Sequence, residues 1–233
     1  GARDFYDGET AKVLIEALHA AGGIIGFRDL AEYQPVWRAP IRIRYGEYDL
    51  YTVPPPSGGG IILAEVLNIL SGDDLAAIGF QTPAALHLII EAQRRAFIDR
   101  NRYAADPLNG RIPYRELLSK KRAQQWRRTI DPRRVIATAS LAAPANLEPE
   151  GEHTTHFTIA DAEGNVVSLT TTLGENFGSG LVVPGLGFLL NNAMDDFTTL
   201  AGRANRDGLL QGIPNLVDPT KRPASSLSPT IIL

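Results

Sequence analysis

The sequence predicts a protein of the α+β class, in which helices and strands occupy mostly separate stretches of the chain. Apolar residues three and four positions apart, the pattern of a helix, dominate about the first two-thirds of the 233 residues. Alternating and β-branched segments gather in the last third. Hydrophobic residues make up 44% of the chain and charged residues 21%, which is typical of globular proteins with a substantial core.

The first helical segment covers residues 8–21 and stops at Gly22, a residue type that commonly ends helices. A short helical turn is expected over 29–33, and longer helices over 61–70, 83–104 and 114–129. In the segment 83–104, the side chains expected to face the core are Leu86, Ile89, Ile90, Ala96 and Phe97.

Strands are predicted in two pairs. Residues 41–45 alternate between apolar and charged side chains, and 48–53 return after Gly46, so a hairpin is expected there. A second hairpin is expected from 155–161 and 166–173, which are joined by a turn at Gly164 and Asn165. Further strands are expected at 187–190 and near Pro229, whereas the Ala- and Pro-rich stretch 131–153 is typical of an exposed connection.

Charge and cysteine content exclude several classes of function. The net charge of −3 gives no overall attraction to nucleic acid or to an anionic membrane. No run of 18 uninterrupted apolar residues is present, so no membrane span is predicted. The absence of cysteine excludes thiol catalysis, disulfides and thiolate metal sites, and is compatible with either a cytoplasmic or an exported protein. The chain begins without Met or a signal peptide and ends in an apolar run, so we expect it to be an internal piece of a longer protein.

Thr154 is the first candidate for catalysis, although a threonine that opens a strand is usually only structural. It follows the exposed connection and begins a strand whose hairpin partner is itself rich in threonine. If the bond between His153 and Thr154 were cut, Thr154 would carry both a hydroxyl and a free α-amine. An α-amine has a reference pKa of about 7.7–8.0, so it can act as the base for its own hydroxyl near neutral pH.

Other polar clusters have weaker functional interpretations. His153 and His156 lie three residues apart and would point to opposite faces of a strand, which argues against a zinc site. The Asp195-Asp196 pair could act as a carboxylate dyad, cap backbone groups or bind a cationic substrate group. The Ser225-Ser226 pair is by default a turn and at best a cradle for a carboxylate.

Two further segments were compared with known binding motifs. The basic stretch 120–134 could support a nucleic-acid-binding module, but a solvated helix face fits its few aromatic residues better. The Pro- and Gly-rich segment 54–60 lacks the Lys-Ser/Thr ending of a phosphate-binding loop and is interpreted as a tight structural corner.

Taken together, the motifs resemble those of the gamma-glutamyltranspeptidase family, over essentially the whole chain and in the family's order. The segments that carry the resemblance are 54–59, 91–103, 154–161, 168–173, 177–180, 190–197 and 221–230. The resemblance implies an N-terminal-nucleophile fold, a four-layer αββα sandwich of which this chain is a part. It also implies an inactive precursor that cuts itself between His153 and Thr154. Residues 1–153 would then belong to the large-subunit-like segment and 154–233 to the small-subunit-like segment, together forming one domain.

The resemblance also implies roles for individual residues. Thr154 would attack a γ-glutamyl amide such as glutathione and pass the acyl group to water or to an amino acid. Thr172 corresponds to the threonine that hydrogen-bonds the nucleophile, and Asp196 to the acid that holds the substrate α-amine. Ser225 and Ser226 correspond to the pair that binds the α-carboxylate. No cofactor and no metal are implied, and the partners would be the small substrate, its acceptor and the remaining segments of the same enzyme.

Two positions depart from the family pattern. Gly174 stands where the family usually has Asn, and Ala193 where it commonly has Gln or Glu. Both positions normally help to hold the substrate α-amine, and each lost charged hydrogen bond is worth roughly 1.5–3 kcal/mol. The family's oxyanion segment and its carboxylate-binding Arg would lie outside this chain, so we expect the chain alone to be inert.

Three alternatives therefore stay open. The first is a gamma-glutamyltransferase, the second a cephalosporin-acylase-like amidase with altered acyl specificity, and the third an inactive paralogue or binding module. Members of the family tend to be periplasmic or extracellular.

Overall fold

The computed structural model describes residues 1–109, 112–141, 154–205 and 208–233. Within these ranges the chain forms two compact units, each assembled from several stretches. The first unit contains Gly1–Arg38, Thr154 and Thr172–Ala193. The second contains the described parts of Ala39–Glu150, together with Thr155–Thr171 and Met194–Leu233.

The first unit contains three helices: α1 at Ala2–Asp7, α2 at Glu9–Ala20 and α3 at Phe27–Ala31. Helix α2 confirms the segment predicted over 8–21 and buries Ala11, Leu14 and Ile15, which lie on one face at helical spacing. Helix α1 was not predicted, and all of its residues are at least partly exposed, so it carries no strong apolar stripe.

Five helices lie in the second unit: α4 at Gly59–Leu70, α5 at Leu75–Ile78, α6 at Pro83–Tyr103, α7 at Tyr114–Leu117 and α8 at Lys120–Arg128. Helices α4 and α6 confirm predicted segments. The prediction of a single helix over 114–129 was wrong, because the helix is interrupted before Ser119. The Ser119 hydroxyl accepts a hydrogen bond from the backbone N–H of Arg122 at 3.1 Å and thereby caps a new helix.

The described residues contain five strands: β1 at Ile41–Tyr45, β2 at Tyr48–Thr52, β3 at Thr154–Ala160, β4 at Val166–Thr172 and β5 at Thr230–Ile232. Strands β1, β2 and β5 form an antiparallel sheet in that order, and β3 pairs with β4. Both predicted hairpins and the strand near Pro229 are confirmed. Residues 187–190 do not form a strand and contribute only an isolated bridge between Val182 and Leu189.

The core of the second unit lies between this three-stranded sheet and the long helices. One apolar cluster joins Ile43 of β1 and Leu50 of β2 to Ile61 of α4. A second cluster joins Leu70 of α4 to Leu88 of α6. The α+β class predicted from the sequence is therefore confirmed in this unit.

Helix α6 buries only part of the predicted face: Ala96 is 0% exposed, and Ile89 is partly buried against the second apolar cluster. Leu86 and Ile90 are exposed, whereas the charged residues Glu91, Arg95 and Asp99 are buried. Buried charges need partners, and these have them. The Arg95 guanidinium donates to the Glu91 carboxylate at 2.6 Å and to the Thr129 carbonyl at 2.8 Å.

A second buried group of polar residues connects α4, α6 and α8. The Asp99 carboxylate accepts hydrogen bonds from Arg122, at 2.8 and 2.6 Å, and from the Trp126 indole at 2.8 Å. Glu65 is 2% exposed, and neither of its carboxyl oxygens meets a donor among the described residues. Burial, with the nearby Asp99 charge, raises the pKa of Glu65 to about 10, so this carboxyl keeps its proton and offers it to Asp99.

No helix among the described ranges is both long enough and apolar enough to cross a membrane.

Candidate active site

The predicted nucleophile, Thr154, is the first residue of strand β3. Side chains along one face of the hairpin pair across the strands, with His156 Nδ1 at 2.7 Å from Thr170 Oγ1 and Thr158 Oγ1 at 3.4 Å from Ser168 Oγ. The same strand register, continued by two residues away from the hairpin turn, pairs Thr154 with Thr172 on that face. The two predicted catalytic threonines thus end adjacent strands at the same edge of the hairpin.

The hairpin is exposed along nearly all its length. Every residue of β3 is exposed, and β4 alternates between exposed and half-buried positions. The exposed side chains include apolar ones, among them Phe157, Ile159 and Val167. Contacts among the described residues therefore fix the pairing of the two strands but cover neither face.

A short loop follows Thr172 and is held by a second segment of the same unit. The Thr172 hydroxyl accepts the backbone N–H of Gly174 at 2.9 Å. The Asn192 side-chain oxygen accepts the backbone N–H of Glu175 at 2.9 Å, and the backbone N–H of Asn192 donates to the Leu173 carbonyl at 2.9 Å. Thr172 is therefore already oriented by the loop beside it.

His153, the predicted partner in the cleaved bond, lies outside the described residues. Within the described ranges, no group of three or more His, Cys, Asp or Glu side chains is placed to hold a metal ion. His156 instead lies against Thr170 within the hairpin.

The predicted substrate-binding residues Asp196, Ser225 and Ser226 belong to the second unit. Asp196 ends the 3-10 turn Ala193–Asp196. Ser225 pairs through its backbone with the Pro-rich segment, accepting the Gly58 N–H at 2.6 Å and donating to the Pro56 carbonyl at 3.2 Å. Segment 54–60 is thus the tight corner that the sequence suggested, and its partner is the serine pair.

Glycine is required in this corner because the serine segment passes very close to it. A Cβ atom at Gly59 would lie 2.5 Å from the Leu227 carbonyl oxygen, and one at Gly60 would lie 2.0 Å from the Val53 carbonyl oxygen. The Ser57 hydroxyl also donates to the Leu227 carbonyl. These contacts hold the backbone of the serine pair against α4.

Arg100, in the last turn of α6, is a functional candidate that the sequence interpretation missed. It is 2% exposed, and its guanidinium donates to the Ser226 hydroxyl at 2.7 Å and to the Asn101 side chain at 2.9 Å. A buried cation beside a serine pair favours an anionic ligand. An arginine near a helix C-terminus normally indicates a solvated end, so the sequence offered no signal of this role.

Three residues of the basic stretch are engaged in structural contacts. Arg122 is paired with Asp99, and Arg127 donates to the Asp73 carboxylate at 2.8 and 2.7 Å. Lys120 donates to the Asn68 side chain at 2.7 Å. These pairs support the solvated helix face over a nucleic-acid surface.

Comparison with known proteins adds family evidence to this geometry. A family model for gamma-glutamyltranspeptidase matches residues 1–233. The chain belongs to the gamma-glutamyltranspeptidase family. The glutathione hydrolase proenzyme of Pseudomonas sp. (strain A14) is 40% identical over 232 residues, an alignment that covers 100% of this chain and 40% of that relative. The chain therefore spans well under half the length of this relative.

Two solved structures show the corresponding fold. A cephalosporin acylase from Bacillus halodurans superimposes with a TM-score of 0.75 at 28% identity, over 99% of this chain and 38% of the acylase chain. A gamma-glutamyltranspeptidase from Pseudomonas nitroreducens, complexed with L-DON, gives 0.58 at 36% identity, over 60% of this chain and 43% of its own. The predicted N-terminal-nucleophile fold is thereby confirmed for this part of the family's chain.

At Gly174, where the sequence departs from the family pattern, the structure leaves no room for a side chain. Gly174 adopts a φ of +90°, and a Cβ atom there would lie 2.1 Å from the Asn192 side-chain oxygen. The space that a side chain at 174 would need is therefore filled by the Asn192 amide. At the second departure, Ala193 donates its backbone N–H to the Asn191 side chain at 3.0 Å and presents only a methyl group.

Proposed function

We propose that the full-length protein is a gamma-glutamyltransferase or glutathione hydrolase whose nucleophile is Thr154. The observation that carries the proposal is the position of Thr154 opposite Thr172, at the start of β3, in a chain that matches the family over all its residues. The protein would cut itself before Thr154 and so divide into a segment ending at residue 153 and one beginning at 154, which together form one domain.

Self-cleavage would begin with attack of the Thr154 hydroxyl on the carbonyl carbon of His153. The hydroxyl proton moves to the departing nitrogen, which becomes the α-amine of Thr154, and the acyl group is left on oxygen as an ester. Water then hydrolyses that ester. The product carries a hydroxyl and an α-amine on one residue, a combination that lets the amine act as the base.

Turnover would follow the same chemistry. The α-amine takes the proton from Oγ1, Oγ1 attacks the γ-carbonyl of the substrate, and the proton passes to the leaving amine. The resulting ester is opened by water or by the amine of an amino acid. Thr172, whose hydroxyl accepts the Gly174 N–H, would hydrogen-bond the nucleophile.

Substrate recognition would divide between two charges on the α-carbon. Asp196 would hold the α-amine, and Ser225 with Ser226 would hold the α-carboxylate. The Arg100 contact with Ser226 supports the second assignment, because it brings a buried positive charge next to the serine hydroxyl. No cofactor takes part in this scheme.

A glutaryl amidase of the cephalosporin-acylase kind is the second candidate. Gly174 and Ala193 favour it, because both replace polar side chains that in the family help to hold the α-amine. The acylase from Bacillus halodurans is also similar over 99% of this chain. A glutaryl group keeps the carboxylate of a γ-glutamyl group and lacks its α-amine.

The first experiment is mass spectrometry of the purified full-length protein. A break before Thr154 supports both enzymes, and an uncut full-length chain contradicts both.

Hydrolysis of a γ-glutamyl anilide and of a glutaryl anilide then separates the two candidates. If Asp196 binds the α-amine, the wild type should prefer the γ-glutamyl anilide. Asp196→Ala should lower that preference by about tenfold or more, because a charged hydrogen bond contributes roughly 1.5–3 kcal/mol. Asp195→Ala, at the neighbouring carboxylate, serves as the matched control. Equal wild-type rates would exclude Asp196 as the amine ligand and favour the amidase.

A further inference from the structure

Asn215 connects the two segments that carry the proposed substrate ligands. Its side chain is 1% exposed and follows Pro214 at the end of the 3-10 turn Ile213–Asn215. The side-chain N–H donates to the backbone carbonyl of Asp196 at 2.8 Å. The side-chain oxygen accepts the backbone N–H of Ala224, the residue before Ser225, at 3.0 Å.

The orientation of this amide is determined by its partners. The Asp196 carbonyl can only accept and the Ala224 N–H can only donate, so the nitrogen must face one and the oxygen the other. The Gln211 side-chain oxygen accepts from the same nitrogen at 2.5 Å. Rotation of the Asn215 side chain would break these buried bonds together, which makes it a rigid link.

The backbone of Asn215 strengthens the link. Its carbonyl accepts the Thr198 N–H at 2.9 Å, and its N–H donates to the Gly212 carbonyl at 3.1 Å. Thr198 lies two residues after Asp196. The chain at and just after Asp196 is therefore held to Asn215 at two points, and Asn215 also holds the chain entering the serine pair.

We infer that Asn215 is a positioning residue that sets the distance between Asp196 and the Ser225-Ser226 pair. The inference rests on the proposed function, in which these residues bind the amine and the carboxylate of one α-carbon. The two groups on that carbon are a fixed distance apart, so two-point binding requires a fixed distance between the ligands. Asn215 is buried and acts through its neighbours, not through contact with the substrate.

This role predicts a change in selectivity and not only in total activity. A γ-glutamyl anilide is held at both charges and depends on their spacing, whereas a glutaryl anilide is held only at its carboxylate. In the full-length protein, Asn215→Ala should therefore lower kcat/KM for the γ-glutamyl anilide by at least about tenfold, mainly through KM. For the glutaryl anilide, kcat/KM should change less than about threefold.

Thr198→Val is the matched control. Thr198 is also 1% exposed and bonds Asn215 through its backbone, but among the described residues its hydroxyl bonds only the Gly212 carbonyl, at 3.5 Å. Removal of the Thr198 hydroxyl should leave the ratio of the two kcat/KM values, for the γ-glutamyl and the glutaryl anilide, at that of the wild type. If Asn215→Ala does not fold, Gln211→Ala removes one of the groups that orient the Asn215 amide and should shift the ratio in the same direction.

The outcomes separate the inference from the function on which it rests. A wild type that prefers the γ-glutamyl anilide, with an Asn215→Ala variant that loses this preference, supports the inference. Equal losses on both substrates would overturn it, because a purely structural role weakens both alike. A wild type that hydrolyses both anilides equally well would contradict the role of Asp196 as the amine ligand. The inference about Asn215 would then be overturned as well.

Discussion

Two regions are stabilised in opposite ways: the β3–β4 hairpin, which carries the proposed nucleophile, and the proposed substrate-binding segment around Asp196 and Ser225. The hairpin carries its threonines on strands that are exposed over nearly their whole length. In the substrate-binding segment, buried side chains such as Asn215 and Arg100 connect one backbone stretch to the next. Among the described residues, the proposed substrate-binding segment is therefore held by buried side chains, while the hairpin is defined mainly by its own cross-strand pairs.

This contrast shows which properties belong to local chemistry and which to packing. The reactivity proposed for Thr154 requires only a hydroxyl and an amine on one residue, so it depends little on burial within this chain. Recognition of two charges requires a fixed geometry, and fixed geometry comes from satisfied buried hydrogen bonds.

The largest expected effect is at the nucleophile. Thr154→Ala in the full-length protein should abolish both self-cleavage and anilide hydrolysis, because no hydroxyl remains at the proposed site of attack. The fold should persist, since the substitution removes only a hydroxyl and a methyl group. Intact-mass measurement and an anilide assay check the two activities, and Thr155→Ala, on the opposite face of the strand, is the control. Turnover surviving in Thr154→Ala would place the nucleophile elsewhere.

The next effect concerns stability and compares the two regions directly. Ile61 in α4 is 0% exposed, whereas Ile159 in β3 is 60% exposed. In the 233-residue chain, Ile61→Ala should lower the free energy of unfolding by about 2–5 kcal/mol and Ile159→Ala by less than about 0.5 kcal/mol. Urea denaturation of both variants measures the difference. Similar losses would mean that the hairpin is packed as tightly as the core.

Glu65 gives a pH-dependent effect in the same core. Its pKa is about 10 when folded and near the ordinary value of 4.5 when unfolded, so the folded chain holds one more proton between these values. Stability should fall with rising pH across that window, by up to about 1.4 kcal/mol per pH unit from this group, and level off above it.

Glu65→Gln tests the sign of this dependence. The glutamine amide has a similar shape, can donate to Asp99 and does not ionise. The variant should therefore be more stable than the wild type at pH 8, and this difference should disappear near pH 5. Urea denaturation at the two pH values measures it, with Glu163→Gln in the exposed hairpin turn as control. A parallel pH dependence of wild type and Glu65→Gln would show that Glu65 does not hold the proton.

Periodicity and turn residues were sufficient to predict most of the elements. The alternation over 41–53 specified the β1–β2 hairpin, and the apolar spacing over 8–21 specified α2. The prediction failed where polar contacts overrode that pattern. Leu86 is exposed while Arg95 is buried, because an ion pair and a backbone carbonyl compensate the buried charge.

In the candidate site, only the residues that belong to family motifs were predictable from the sequence. Thr154, Thr172, Asp196 and the serine pair follow from the resemblance to the family, and their roles stay predictions. Arg100 and Asn215 could not be found in this way. Each acts through a contact between residues distant in the sequence, Arg100 with Ser226 and Asn215 with Asp196 and Ala224. Neither spacing nor composition encodes such a contact.

The close approach of Asn192 to Gly174 limits how this protein can change its specificity. Because a Cβ atom at 174 would lie 2.1 Å from the Asn192 side-chain oxygen, adding the family's asparagine there requires Asn192 to move or to be replaced. The effect of a side chain at position 174 therefore depends on the residue and the rotamer at position 192.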